Sequence, residues 1–196
     1  VLALGSPTHP VEEGAWTQWT STYKWDRFQG QEFVQFAPLF GHQYSHVWID
    51  FRKLQDAYMR RRGIDYFENT RRAIYAQRAY AIANPRGCKS YGATIWGLTA
   101  SDGPADTLIV NEKKARAYRS YSARGAGGSD AYDDCTLAPT AVVGSLPFAP
   151  EIVMPAVLEM HQRFGPHIYS KYGFLDAFNL NFDVTVAVTQ GRVVQG

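Results

Sequence analysis

The stretch from Tyr66 to Ala83 constrains the fold most. It carries Ala73, Ala76, Ala79, Ala81 and Ala83 among other good helix formers, and it predicts a long helix. Asn69 and Thr70 lie close enough to its start to cap or fray the first turn. Asn84-Pro85 closes it, because a residue before proline is pushed out of the helical region. Small side chains allow another helix to approach, and Arg71, Arg72 and Arg78 suit a solvated or ion-paired side.

A second helix is predicted over Pro150–Arg163. Pro150 suits a first turn, and Glu151 lies at the positive end of the helix dipole. Ile152, Val153, Ala156, Val157 and Met160 form an apolar stripe. Gly165-Pro166 is read as the stop, with Pro155 a possible kink. Shorter helices are expected at Glu12–Ser21, Leu39–Trp48, Leu54–Arg61 and Pro139–Ser145. Only Asp183–Val188 alternates like a strand, and it could equally open a buried helix. Ser122–Asp130 reads as a flexible glycine-bearing loop. The expectation is a mainly α chain with one domain over residues 1–196 and no internal linker.

At 196 residues the chain is long enough to hide about 70% of its unfolded surface. Charged residues make up 19%, with a net charge of +2, which excludes a disordered charged tail and gives no footprint for nucleic acid. No run approaches the roughly 20 apolar residues of a membrane span. Val1-Leu2-Ala3-Leu4-Gly5 has no basic n-region and reads as the end of an apolar helix, not a signal peptide. The other end, Gln190 to Gly196, stops without a helix or polar tail. Both ends suggest a piece of a longer protein. Cys88 and Cys135 could pair, but two buried free thiols is the preferred reading. The absence of CxxC excludes a zinc ribbon.

The densest chemical stretch is Pro38 to Arg52. His42 and His46 share a helix face at a spacing that suits two metal ligands. Gln43 stands where a zinc protease needs Glu, and no third ligand is identifiable. The rings could instead hydrogen-bond within a partly buried polar layer. The preferred reading points them into a cleft, donating to substrate hydroxyls. In Trp96–Pro104, Asp102 either faces a cleft or closes an Asx-turn. One of Asp133 and Asp134 is expected to organise the loop before a helix. Glu151 is read first as a helix-terminus charge and otherwise as a pocket carboxylate. Glu32 and Glu68 default to surface ion pairs. Ser45, Ser101 and Ser145 lack a nucleophile elbow, and no phosphate-cradling glycine motif occurs.

The chain has 5 Trp, 12 Tyr and 11 Phe. Aromatic faces, acids and amides are what a sugar cleft requires, since pyranose C–H faces stack on rings while carboxylates and imidazoles meet hydroxyls. Cleavage of a glycosidic bond then needs two carboxyls, one of them held protonated to donate to the leaving oxygen.

Several runs resemble the bacterial glucoamylase-like family that includes endo-β-1,2-glucanases. They are Gly5 to Pro10; Pro38-Leu39-Phe40 with His42; Tyr44-Ser45-His46; Trp48 to Arg52; Ile64 to Asn69; and Ala83-Asn84-Pro85. Further along are Trp96 to Pro104; Asp133; Thr136; Ala138 to Ala141; Ser145 to Glu151; Tyr172-Gly173-Phe174; and Asp176 to Asn179. The resemblance implies an (α/α)6 barrel, here incomplete, and hydrolysis of β-linked glucan, with β-1,2-glucan first, without metal or organic cofactor. It implies export to the periplasm or beyond. It also implies that the favoured catalytic acids lie on a Tyr-x-Glu-Ala-like helix before Val1 and in an Asp-Gln-Gly-Pro run after Gly196. Within the chain, Asp102 and Glu151 are the acid candidates. His42, Tyr44, His46, Asp50, Arg52, Trp96 and Asp133 are expected to shape the sugar site. The expected partner is an oligo- or polysaccharide. A carbohydrate-binding protein without activity, and a metal-dependent hydrolase using His42 and His46, are the rival readings. Cys135, where relatives often have Gly, and the longer Asp106–Asp130 segment depart from the family pattern.

Overall fold

A computed structural model describes residues 5–12, 14–111, 114–129 and 131–182. The segment Asp183–Val188 lies outside them. Among the described residues, six α-helices are interleaved with five two-stranded antiparallel sheets. The helices are α1 (Gly14–Ser21), α2 (Phe40–Gln43), α3 (Ala57–Arg62), α4 (Tyr66–Ala83), α5 (Pro139–Val143) and α6 (Pro150–Ile168), with a 3-10 turn at Tyr44–Val47. The expected helices are therefore present, most of them shorter than predicted. Leu39–Trp48 divides into α2 and the 3-10 turn.

Helix α4 forms as its sequence predicts, but Asp65 is the cap, accepting from the Glu68 amide at 2.7 Å. Asn69 and Thr70 are instead buried in the helix interior. Asn84 ends the helix in the left-handed region, at φ 45°. Helix α6 runs past the predicted stop to Ile168, carrying Pro155 and Pro166 inside it. Proline removes one backbone donor. Burial of Gly165 and Ile168 in this last stretch, against the core, offsets that loss.

The hairpins are the larger departure from the mainly helical reading. Strands β1 (Trp25–Phe28) and β2 (Gln31–Val34) pair with Trp25 opposite Val34 and Phe28 opposite Gln31. Gln29 and Gly30 both have positive φ, as a two-residue hairpin turn requires. Strands β3 (Ala100–Asp102) and β6 (Tyr121–Ala123) pair around a second hairpin, β4 (Thr107–Asn111) with β5 (Lys114–Tyr118). This insertion occupies much of the long 106–130 segment. Strand β7 (Thr136–Leu137) pairs with β10 (Phe178–Asn179), and β8 (Tyr169–Ser170) with β9 (Gly173–Phe174). The expected flexible loop at Ser122–Asp130 is packed over Arg124–Gly127, where the Ala126 amide donates to the Ala37 carbonyl.

The core gathers Ile74, Ala76, Trp96, Leu98, Val142, Val153 and Met160, between α4, α5 and α6. Gln77 fastens Leu98 to α4 in both directions, its amide donating to the Leu98 carbonyl and its Oε1 accepting from the Leu98 amide. Cys88 and Cys135 form a disulfide, which corrects the free-thiol reading. Their Cα atoms are 5.4 Å apart although 47 positions separate them in sequence. The side chain of Arg116, from β5, lies against Cys135 Sγ. Sequence spacing could not reveal this closure, because α4's C-terminal cap and the 133–135 turn meet only in the fold. Asn84 holds that cap by accepting from the Cys88 amide and donating to its carbonyl.

Candidate functional site

An open cleft of about 1570 Å³ runs along one side of the molecule. Its walls come from α1, the β1–β2 hairpin, the α2 region, the start of α3 and the start of α4. Trp16, Trp19, Tyr23, Trp25, Phe36, Tyr44, Trp48 and Phe51 line it. Several are well exposed: Trp48 at 75%, Tyr44 at 66% and Trp19 at 62%. Grouped exposed rings of this size mark a surface that meets something else, a ligand or another part of a protein.

Three of the residues singled out from sequence line this cleft: His42, Tyr44 and His46. The His42 ring is buried, and its Nε2 lies 3.0 Å from the Phe36 carbonyl. A carbonyl only accepts, so Nε2 carries the proton. Burial, with the neighbouring His46, lowers the His42 pKa to about 4, so the ring is neutral near pH 7. His46 Nε2 lies 3.1 Å from Thr70 Oγ1, whose own proton goes to the His42 and Tyr66 carbonyls. His46 is therefore the donor to Thr70. Its ring packs edge-on against Phe51, Phe67 and Phe148, and burial lowers its pKa. The outcome is closest to the partly buried polar layer: both Nε2 atoms are committed to the protein and not free for a metal or a hydroxyl. Gln43, between them, fastens α2 to α5 by donating to the Ala141 carbonyl and to Ser145 Oγ.

The other singled-out residues are placed elsewhere. Trp96 is fully buried in the core, and its Nε1 has no hydrogen-bond partner among the described residues. Asp133 is buried between Tyr80 and Tyr91, accepting from both hydroxyls and from the Cys135 amide. It organises the turn before α5, as one of the two acids was expected to. Asp50 and Arg52 form an exposed ion pair at 2.6 Å beside the cleft, not on its wall. Hydrogen bonds from Arg52 lower the Asp50 pKa to about 2. Asp102 sits exposed on β3, with Asp176 accepting from its amide. Among the described residues its side chain closes no Asx-turn. Glu151, at the start of α6, takes a hydrogen bond from Tyr75 and pairs with Arg71 at 3.0 Å. These contacts lower its pKa, so it is a carboxylate and not a proton donor. Neither acid candidate lines the cleft.

Sequence reasoning missed five residues of the wall: Trp16, Trp19, Tyr23, Trp25 and Asp56. The crowding of four aromatics between Trp16 and Trp25 was the available signal. Asp56 caps α3, accepting from the Met59 amide at 2.7 Å. Its other oxygen accepts from Trp16 Nε1 at 2.5 Å and from the Tyr66 hydroxyl at 2.8 Å. Burial raises its pKa, but these donors outweigh it and leave the pKa lowered.

A broad trough walled by indoles and phenols suits a sugar chain, whose C–H faces stack on rings. The sequence model of the Glycoamylase family matches residues 1–195, and this chain belongs to that family. It is similar to the exo-β-1,2-glucooligosaccharide sophorohydrolase (non-reducing end) of Parabacteroides distasonis, at 32% identity over 144 residues. That match covers 74% of this chain and 17% of the sophorohydrolase. The endo-β-1,2-glucanase of Chitinophaga pinensis, solved with sophorotriose and glucose, superposes with a TM-score of 0.72 at 28% identity. It covers 91% of this chain, which spans 41% of that structure. The β-1,2-glucanase of Parabacteroides distasonis superposes at 0.69 with 27% identity, over 91% of this chain and 26% of its own. The chain thus spans less than half the length of these relatives.

Proposed function

We propose that this chain forms part of the substrate cleft of a glycoside hydrolase acting on β-linked glucan, with β-1,2-glucan as the substrate. The observation that carries the reading is the trough itself: Trp16, Trp19, Trp25, Tyr44 and Trp48 along one open wall. Three relatives named for β-1,2-glucan hydrolysis support the linkage. The complete protein has the (α/α)6 barrel implied by the resemblance, with α4 and α6 among its helices.

Hydrolysis proceeds by acid–base chemistry between two carboxyls flanking the glycosidic bond. Asp56, a carboxylate on the cleft wall, does not suit the acid role. Asp56 is saturated with donors that hold it ionised. The family resemblance puts the pair in segments before Val1 and after Gly196, and in this reading the present residues grip and orient the glucan. Export is part of the proposal. The Cys88–Cys135 disulfide fits an oxidising compartment. Among the described residues no helix is long and apolar enough to cross a membrane.

The test is reducing-sugar release from linear β-1,2-glucan by the full-length protein. Release that is lost on Trp19→Ala and Trp48→Ala supports the reading. Tight binding without product favours the second reading, a carbohydrate-binding protein.

A further inference from the structure

Helix α3 and its cap reach two tryptophans of the cleft wall that come from separate elements. Trp16 belongs to α1 and Trp25 to β1. Trp16 Nε1 donates to Asp56 Oδ2 at 2.5 Å, and Trp25 Nε1 donates to the Tyr58 hydroxyl at 2.6 Å. Tyr58 and Arg62, four apart, share one face of α3. The Arg62 guanidinium lies 4.6 Å from the Trp25 ring centroid and covers one of its faces. Each indole has a single polar atom, and in both rings that atom is already used.

We propose that Asp56 and Tyr58 are positioning residues that tie back the indole N–H groups of Trp16 and Trp25, so that both rings meet a ligand with π surface alone. Such a surface favours sugars whose ring substituents are all equatorial, leaving two apolar C–H faces, as in β-glucose. A sugar that stacks through the face bearing an axial hydroxyl would set a polar group against a ring that offers it no hydrogen bond. The inference rests on the trough being the glucan site, and it adds the source of sugar selectivity.

Two conservative variants separate positioning from folding. Asp56→Asn retains a good cap for α3 but loses the acidic acceptor shared by Trp16 and Tyr66. Tyr58→Phe keeps the ring and removes only the hydroxyl that receives Trp25. Calorimetry of the full-length protein with β-1,2-linked glucotriose and with its galactose counterpart reads affinity and selectivity. Indole N–H exchange, read by NMR, reports whether the rings are released. The expected result is faster exchange at Trp16 in the first variant and at Trp25 in the second. Each variant also loses about threefold to tenfold in glucotriose affinity, the range of one aromatic contact. The preference over the galactose compound shrinks as well. Unchanged affinity and preference in both variants, with wild type binding glucotriose, overturns this inference alone. No binding of glucotriose by wild type overturns the cleft reading and the inference together.

Discussion

Arg124 grips Asp134 with two hydrogen bonds, Nε to Oδ1 at 2.7 Å and Nη2 to Oδ2 at 2.9 Å, and both side chains are wholly buried. Arg124 Nη1 also donates to the Ser101 carbonyl at 2.7 Å, and Nη2 to the Arg119 carbonyl at 2.6 Å. The pair therefore ties β3, β6 and the turn before β7 into one unit. A Cβ at Gly103 would press on the guanidinium and on the Arg119 carbonyl, so that position needs glycine. Burial raises the Asp134 pKa, but the bonds from Arg124 and Thr136 outweigh it and leave it lowered.

Arg124→Met strands a buried carboxylate and is expected to cost about 3–5 kcal/mol. Arg124→Lys rescues little, because an ammonium cannot form the fork or reach both carbonyls. Urea unfolding of the three proteins checks this. A loss below about 1 kcal/mol for the methionine variant contradicts it.

The disulfide closes a loop across 47 positions, and in the chain-entropy account its removal costs about 4 kcal/mol. Cys135 sits at φ 70°, where a side chain is disfavoured by about 1 kcal/mol. Cys135→Gly is therefore expected to lose less stability than Cys88→Ala, although both remove the bridge. Denaturant midpoints under oxidising conditions compare them, and equal losses contradict the role of the backbone.

Acidification tests the two imidazoles. The folded His42 pKa is about 4 against an ordinary 6.5. Above 6.5 both states are neutral and His42 contributes no pH dependence. Between 6.5 and 4 the unfolded chain takes up a proton that the folded chain does not, so stability falls as pH falls. The full loss is about 3 kcal/mol, reached near pH 4. His46 acts in the same direction. His42→Gln keeps a donor for the Phe36 carbonyl and is expected to flatten this decline. A decline of equal depth in the variant contradicts the assignment.

Trp48 is 75% exposed and holds little of the fold together. Trp48→Ala is expected to move stability by less than about 0.5 kcal/mol. The same change is expected to weaken glucan affinity by about 2 kcal/mol, as loss of an exposed aromatic anchor does. Thermal melting and calorimetry on one preparation read both.

The sequence exposed the helical framework because α4 and α6 announce themselves locally, through alanine content, an apolar stripe and proline punctuation. It concealed the hairpins because their strands are short and mixed in polarity. Trp25-Asp26-Arg27-Phe28 pairs with Gln31-Glu32-Phe33-Val34 only through a two-residue turn whose signal is Gln29-Gly30. Part of the cleft wall was legible: of the residues singled out from sequence, His42, Tyr44 and His46 line the aromatic cleft. Trp96 was misplaced because a tryptophan before small residues and a turn looks the same whether it faces a cleft or the core. Only the packing of Ala141, Val142 and their neighbours around it decides that. Asp133 was misplaced for a similar reason, since its partners Tyr80 and Tyr91 lie far away in sequence.

The most direct measurement is a crystal structure of the full-length protein soaked with a β-1,2-gluco-oligosaccharide. The account predicts glucose rings in the trough, with their C–H faces against Trp16, Trp25 or Trp48 and no hydrogen bond from the indoles of Trp16 and Trp25. Sugar bound instead beside Asp102 or Glu151, with the trough empty, would contradict it.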